Sequence, residues 1–269
     1  MYAVAKLALI SGGRGTLGAA FAKQLLSLGE WRVVLADNDP PKAQAMLARL
    51  DVRSGQGCEV RALNVSRIEE WSELIRLLQR ENPKIDLLVN SAGVASGGEV
   101  HEVPPEEFQR VMQINYFGTL YGCQAVVPWM KSSGSGHIVN VASITGFLSP
   151  PATAAYASSK AAVIALSESL YAELRPHGIG VTVSVPGFFP SPLVERGTFS
   201  EESLRQEAQS YADRATLTAD EVAEATLRAV DRKQLYAVSG SRARWYWRLK
   251  RLAPQWLANR LSKKLSSIN

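Results

Sequence analysis

A tyrosine and a lysine, Tyr156 and Lys160, are four residues apart in a stretch of small residues that predicts a helix. This spacing places the phenol and the ammonium group on one face, one turn apart. A free tyrosine titrates near pH 10, but a cation about 5 Å away favours the phenolate by roughly 3 kcal/mol at an effective dielectric constant near 20. We therefore expect Lys160 to lower the pKa of Tyr156 by about 2, so that the pair can exchange a proton with an alcohol or ketone near neutral pH.

A glycine-rich segment, Ser11-Gly-Gly-Arg-Gly-Thr-Leu-Gly18, connects the first predicted strand to a helix. Its glycines fit a tight turn, a close approach of the backbone to a pyrophosphate, and close packing of helix on strand. Asp37 ends the second predicted strand, where its carboxylate can accept both hydroxyls of an adenosine ribose and repel a 2′-phosphate. These residues favour NAD over NADP. A P-loop is excluded because no Lys-Ser or Lys-Thr pair follows the glycines.

The elements that must position these residues alternate between strand and helix. Several predicted strands are continuously apolar, as expected of parallel strands that are covered on both faces. The alternation predicts an α/β fold, a doubly wound parallel sheet of the Rossmann type with about seven strands and helices on both faces. Residues 186–216 lack clear periodicity and are a candidate lid. The predicted strands are 6–10, 32–36, 59–63, 85–90, 137–142, 180–185 and 235–238; the predicted helices are 17–28, 42–52, 68–81, 105–131, 153–176 and 219–231.

The composition, 269 residues with 46% hydrophobic and 20% charged, suits one large globular α/β domain. We assign residues 1–240 to a catalytic domain and 241–269 to a basic C-terminal tail. Two cysteines, Cys58 and Cys123, are too few for a disulfide framework and predict reduced thiols in a cytoplasmic protein. No stretch reaches the roughly 18 apolar residues of a spanning helix, and the N-terminal segment lacks a signal-peptide cleavage pattern.

The tail differs from the rest of the chain in charge. Residues 232–269 contain ten of the 30 basic residues and no acid, which leaves 20 basic and 25 acidic residues in 1–231. On a helix broken by Pro254, an apolar stripe would lie beside a basic face. The stripe is Trp245, Leu249 and Leu252, and the face is Arg244, Arg248 and Arg251. Two interpretations stay open: a peripheral helix on an anionic membrane, or a helix packed on its own domain or on another subunit. Nucleic-acid binding is disfavoured because no recognised motif accompanies the charge.

Further residues at fixed spacing make residues 5–238 resemble the short-chain dehydrogenase/reductase family. Ser143, 13 residues before Tyr156, matches the catalytic serine, and Asn115 matches the asparagine that anchors a proton-relay water. Asn90-Ser-Ala-Gly93 matches a structural Asn-Asn-Ala-Gly segment, and Pro186-Gly187 matches the Pro-Gly after the sixth strand. Two positions depart from the pattern: Thr16 stands where the family has glycine, and Asn64 where it often has aspartate.

The resemblance implies roles for these residues. Tyr156 would be the general acid/base, Lys160 would also bind the nicotinamide ribose, Ser143 would hold the substrate oxygen, and Asn115 would complete the relay. The implied cofactor-binding residues are Gly12, Gly13, Arg14, Gly15, Thr16, Leu17, Gly18, Asp37, Asn64, Val65, Asn90, Ala92, Gly93, Tyr156, Lys160, Pro186, Gly187 and Ser191. The implied substrate-binding residues are Ser143, Thr145, Phe188, Phe189 and Leu193.

We expect an oxidoreductase that transfers a hydride between NAD(H) and an apolar secondary alcohol or its ketone, because the cleft-lining segments carry aromatic and aliphatic residues. One alternative is an NADPH-linked ketone reductase, which Arg14 would favour. The other is a non-catalytic dinucleotide-binding sensor or scaffold, which would not need Ser143, Tyr156 and Lys160. The histidines are scattered without zinc-ligand spacing, so no metal site is expected, and no Gly-x-Ser-x-Gly supports a hydrolase. We expect a homodimer or homotetramer, in the cytoplasm or peripheral at the inner face of the membrane.

Overall fold

A seven-stranded parallel sheet forms the centre of the protein in the computed structural model, which describes residues 5–50 and 57–265. The strand order is β3 (Cys58–Ala62), β2 (Trp31–Asp37), β1 (Lys6–Ser11), β4 (Leu87–Asn90), β6 (Gly136–Val141), β7 (Ile179–Pro186) and β9 (Tyr236–Ser239). Every neighbouring pair is parallel. The order reverses between β1 and β4, which opens a crevice at the carboxyl ends of these strands. The predicted Rossmann-type fold is confirmed.

Helices cover both faces of the sheet, and two short strands pair away from it. The α-helices are α1 (Thr16–Ser27), α2 (Pro40–Leu47), α3 (Ile68–Glu81), α4 (Pro105–Met112), α5 (Gly118–Ser133), α6 (Thr145–Leu148), α7 (Ala154–Leu174), α8 (Glu202–Asp213), α9 (Ala219–Asp231), α10 (Ser241–Leu252) and α11 (Pro254–Leu265). The short strands are β5 (Ser96–Gly97) and β8 (Thr198–Phe199).

Alternate residues of the central strands enter two separate apolar clusters. Leu9 and Val34 pack with side chains of α3 and α5 on one face. Their neighbours Ile10 and Leu35 pack with side chains of α1 and α9 on the other. Because both faces are covered, both sets of side chains must be apolar, which explains the continuous hydrophobic runs in the sequence. A capping box at Thr218 and Glu221 begins α9, as its sequence predicts.

The predicted helix 105–131 is interrupted. Residues Gln113–Phe117 form a π-helical turn between α4 and α5. Asn115 lies inside this turn and is fully buried. Single π-helical turns re-aim side chains within a helix and often occur at functional sites, whereas hydrophobic periodicity does not reveal them.

Other predicted boundaries shift by a few residues. The predicted helix 42–52 begins earlier, because Asp39 caps the backbone N–H of Lys42, and its last two predicted residues lie outside the described residues. The predicted helix 153–176 ends as a short 3₁₀ turn at Arg175–His177. The predicted lid is not irregular throughout, since residues 186–216 contain β8 and α8. Both cysteines are free, Cys123 buried and Cys58 partly buried.

The C-terminal residues form two helices that meet at Pro254, as expected. The inner side of α10 packs on the domain: Ala243 is buried, and Tyr246 and Trp247 contact a cluster that contains Ile144 and Val183. The packing interpretation of the tail is therefore correct for this side of α10, and the domain boundary at residue 240 remains a prediction. Among the described residues, no helix is both long and apolar enough to cross a bilayer.

Candidate active site

The glycine-rich loop turns sharply between β1 and α1. Gly12 has a φ of +77°, and a Cβ there would lie 2.8 Å from the backbone of Ala92. A Cβ at Gly18 would collide with the carbonyl oxygen of Gly12. Gly15 donates its N–H to that same carbonyl oxygen at 2.9 Å. Side chains are thus excluded where the sequence predicts a close approach of the backbone to a pyrophosphate, at the loop from which α1 begins. Thr16, where the family pattern has glycine, is accommodated as the first residue of α1.

Asp37 is 4% exposed at the end of β2, beside the glycine-rich loop. Its carboxylate accepts the backbone N–H groups of Arg14 at 3.1 Å and Asp39 at 3.0 Å. The Arg14 guanidinium is 3.4 Å from Asp37 and 3.3 Å from Asp39. The end of β2, where the sequence predicts the adenosine ribose, therefore presents a fixed carboxylate with one arginine beside it. This arrangement fits a dinucleotide and bears directly on the choice between NAD and NADP.

Three other predicted cofactor-binding residues, Asn64, Val65 and Asn90, differ in how far they are buried. Asn64 follows β3, where its side-chain oxygen accepts the N–H and the hydroxyl of Ser66. Val65 is buried against Gly118. Asn90 points into the sheet instead: it is 2% exposed and donates to Asn140 at 2.9 Å. Its place in the sheet matches the structural role implied for the Asn90–Gly93 segment.

Ser11 connects two of the loops that border the crevice. Its hydroxyl accepts the backbone N–H groups of Ser91 at 3.2 Å and Ala92 at 3.4 Å. Across the crevice, the Pro186 carbonyl accepts the N–H of Ile144, and Gly187 donates its N–H to Ser239. Ser191 and Leu193 follow in the loop after β7 and are partly buried. The chain thus gathers the predicted residues at the carboxyl edge of the sheet.

Lys160 is held deep beside Tyr156 on α7. It is 4% exposed, and its ammonium donates to the carbonyl of Val141 at 2.9 Å. The Lys160 nitrogen lies 5.9 Å from the centroid of the Tyr156 ring. A Cβ at Gly146 would lie 2.8 Å from the backbone of Lys160, so α6 and α7 can approach this closely only because residue 146 is glycine. The predicted one-turn pairing of phenol and ammonium is present.

The expected direction of the tyrosine pKa was wrong for this site. Burial raises the pKa of Tyr156 to about 12, and a hydrogen bond with Ser143 offsets only part of that effect. Burial lowers the pKa of Lys160 to about 8. The simple Coulomb argument omitted the cost of moving both groups out of water, and this cost favours the neutral form of each. A cationic nicotinamide beside the phenol would add the charge that favours phenolate.

Asn115 is tied to the same site through the π-helical turn. Its amide accepts the N–H of Val94 at 2.8 Å and donates to the carbonyl of Val94 and the hydroxyl of Ser159, both at 3.0 Å. A Cβ at Gly93 would lie 3.2 Å from the Asn115 oxygen and 3.4 Å from the Lys160 nitrogen. Gly93 therefore leaves the space between these two groups open. Sequence reasoning missed Ser159, although its position just before Lys160 placed it on the same helix.

The residues predicted to contact substrate divide into two groups. Ser143 and Thr145 are buried together at the end of β6, where the Ser143 hydroxyl accepts the N–H of Thr145 at 3.1 Å. Phe188 is 44% exposed and lies 5.3 Å, centroid to centroid, from Tyr211 of α8. Phe189 instead packs against the apolar cluster on the α1 and α9 side. Tyr211 was not among the residues predicted to contact substrate. Only the prediction of a helix at residues 202–213 could have pointed to it.

The loop after β7 is fastened to the rest of the site by the short sheet. Ser96 pairs with Thr198 and Gly97 with Phe199. Arg110 of α4 donates to the Thr198 hydroxyl at 3.3 Å. These bonds fasten the candidate lid to the segment that follows β4 and to α4. Within the described ranges, no three His, Cys, Asp or Glu side chains converge as a metal site requires.

A parallel α/β sheet with a glycine-rich turn at its switch point, and a Ser, Tyr and Lys set beside it, defines a dinucleotide-dependent oxidoreductase. The family described as short chain dehydrogenase matches residues 6–201. An uncharacterized oxidoreductase of Staphylococcus saprophyticus is 34% identical over 188 residues, which is 70% of this chain and 80% of that protein. The chain belongs to the short-chain dehydrogenase family, which confirms the predicted family and class of enzyme.

Two solved structures resemble the whole fold. A short chain dehydrogenase/reductase from Burkholderia phymatum in complex with NAD has a TM-score of 0.84 at 28% identity, covering 93% of this chain and 95% of that one. A short-chain dehydrogenase from Sphingobium yanoikuyae in complex with NADPH has a TM-score of 0.75 at 28% identity, covering 89% and 91%.

Proposed function

We propose that the protein transfers a hydride between NAD(H) and an apolar secondary alcohol or its ketone. Its cofactor class is NAD(P), as in the two similar structures solved with NAD and with NADPH. The observation that carries the proposal is the meeting of Ser143, Tyr156 and the buried Lys160 at the edge of a crevice built for a dinucleotide. When bound, the nicotinamide accepts or donates the hydride.

In this mechanism each side chain handles the substrate oxygen or its proton. Ser143 donates a hydrogen bond to the oxygen and orients it, and Tyr156 gives or takes its proton. Lys160 supplies positive charge beside the phenol and can bond the nicotinamide ribose. Asn115 fixes the Val94 backbone and Ser159 around this proton path. A sensor or scaffold has no use for a lysine whose burial lowers its pKa to about 8, so Lys160 favours the enzyme over that alternative.

The aromatic side chains at the open end of the site support an apolar substrate. Phe188 and Tyr211 stack with their rings 5.3 Å apart, and Phe188 is 44% exposed. Leu193 is partly buried in the same loop. A charged substrate would lose part of its hydration against these rings, whereas an apolar substrate would not. The test is to measure turnover of a panel of alkyl and aryl ketones and secondary alcohols with each cofactor. The absorbance of the reduced nicotinamide reports the rate.

The Asp37 carboxylate underlies our preference for NAD. It is buried and accepts two backbone N–H groups, so it cannot easily turn away from a ribose 2′-phosphate. Replacing Asp37 by alanine should lower the ratio of the NADPH to the NADH dissociation constant by about tenfold or more. The reason is that the repulsion between the Asp37 carboxylate and the 2′-phosphate disappears. Fluorescence titration measures both constants, with Asp231→Ala as a control that removes one negative charge at the end of α9.

Tighter binding of NADPH than NADH by the unaltered protein would contradict the preference and support the NADPH-linked alternative. In that case Arg14, 3.4 Å from Asp37, would be the group that binds the 2′-phosphate. Arg14→Ala should then weaken NADPH binding selectively.

We also propose that the enzyme is a cytoplasmic homodimer or homotetramer, whose size light scattering would measure. The expected peripheral membrane contact depends on α10 and α11 and not on the active site.

A further inference from the structure

The two C-terminal helices, α10 and α11, are fixed to the domain by one side. Trp247 lies with its ring centroid 5.5 Å from Tyr236 and 6.5 Å from Phe147. The Arg251 guanidinium stacks over the Trp247 ring at 4.2 Å. Leu257 of α11 is 1% exposed. These contacts set the orientation of the helix pair, so whatever its other side presents to solvent is presented in a fixed position.

The solvent-exposed parts of both helices carry large apolar residues. Trp245, Leu252 and Trp256 are 52%, 85% and 50% exposed. Trp245 and Leu252 are seven residues apart and therefore lie on one face of α10. We call these three residues the outer apolar patch. Among the described residues only four other large hydrophobic side chains are exposed, and they are scattered over the domain: Leu28, Ile68, Val100 and Phe188.

Arginines lie close in sequence to each residue of the outer apolar patch. Arg244 and Arg248 are exposed on α10, and the Arg260 guanidinium lies 5.6 Å from the Trp256 ring centroid. No acid occurs anywhere in residues 232–269. Tryptophan and arginine are enriched in protein–protein interfaces as well, but two copies of this acid-free surface would repel each other. An anionic bilayer attracts it, and helices that carry tryptophans beside arginines are typical of the headgroup region.

We propose that the outer apolar patch and its arginines dock the protein on an anionic lipid bilayer. The tryptophan rings and Leu252 enter the headgroup zone, and Arg244, Arg248 and Arg260 bind lipid phosphates. This surface is distinct from the active site. Loss of catalysis and loss of docking are therefore measured separately, and neither result decides the other.

The test is co-sedimentation of the full-length protein with phosphatidylcholine vesicles that contain about one quarter phosphatidylglycerol, compared with pure phosphatidylcholine. The triple variant Trp245→Ser/Leu252→Ser/Trp256→Ser should lose about tenfold in partitioning for each side chain that leaves the interface. Arg244→Gln/Arg248→Gln should lose about 25-fold, which is about fivefold for each cation removed. Binding of the unaltered protein should weaken as NaCl rises from about 0.05 to 0.5 M.

The matched control is Leu28→Ser/Val100→Ser, which removes exposed apolar side chains elsewhere and should bind vesicles normally. All variants change solvent-exposed groups, and NADH binding in each verifies the fold. Equal binding to neutral and anionic vesicles, or undiminished binding by the triple variant, would overturn the proposal. Absence of vesicle binding by the unaltered protein would also overturn it. If the variants then had a smaller particle size than the unaltered protein, the patch would join copies of this chain instead.

Discussion

Replacing Tyr156 by phenylalanine should lower turnover by at least about a hundredfold, the scale of a lost general acid or base. The phenol is the one group at the site that is proposed to transfer a proton to or from the substrate oxygen, and phenylalanine keeps the ring in place. The dissociation constant for NADH should stay nearly unchanged, because the glycine-rich loop and Asp37 are untouched. Stopped-flow or steady-state absorbance measures turnover, and fluorescence titration measures cofactor binding.

Tyr171→Phe is the matched control, since it removes a phenol from the same helix at a distance from Ser143. It should leave turnover within about twofold. An active Tyr156→Phe variant would show that another group moves the proton. A loss of NADH binding in parallel with turnover would mean that Tyr156 acts through the cofactor site.

Replacing Lys160 by methionine should abolish most activity and change how stability depends on pH. Burial lowers the pKa of Lys160 from the ordinary lysine value near 10.5 to about 8. Below pH 8 the folded protein contains a buried Lys160 ammonium, which lowers the free energy of unfolding. This destabilisation decreases as the pH rises and disappears above pH 10.5, where the amine is neutral in both the folded and the unfolded protein. The wild type should therefore gain about 2 kcal/mol relative to Lys160→Met between pH 7 and pH 10. Urea unfolding of both proteins without cofactor measures this difference.

Lys131→Met removes an exposed lysine near the end of α5 and serves as the control. Its free energy of unfolding should follow that of the wild type across the same pH range. If the difference between wild type and Lys160→Met were constant with pH, the ammonium would titrate as an exposed lysine does, and its assigned place beside Tyr156 would be wrong.

Most of the fold follows from local sequence. The inner strands β1, β2 and β4 are short apolar runs, and burial on both faces leaves no room for alternation. Residues 96–97 and 198–199 are too short to show any period, and they become strands only because the two segments meet in space. The π-helical turn at Asn115 has the same origin, since its side chain bonds to Val94 in a different loop.

The site could be predicted residue by residue, but its energetics could not. The spacing of Tyr156 and Lys160 gave the correct pairing, whereas the pKa of each group depends on how much water the surrounding loops exclude. Asn90 and Phe189 show a similar limit. The sequence placed both near the crevice, but packing turns Asn90 towards Asn140 and Phe189 towards the second apolar cluster. Tyr211 lies on α8, and the periodicity of residues 202–213 was too weak for this helix to be predicted.

The central claim is hydride transfer to an apolar carbonyl, and isotope transfer measures it most directly. The wild-type protein would be incubated with NADH carrying deuterium on each face of C4 in turn and with the panel of apolar ketones. Mass spectrometry of the products should show one deuterium on the new carbinol carbon from one face of the cofactor only. Tyr156→Phe should form this product at least about a hundredfold more slowly. Tight NADH binding with no deuterium transferred to any ketone, and no oxidation of the matching alcohols, would contradict the account and favour a dinucleotide sensor.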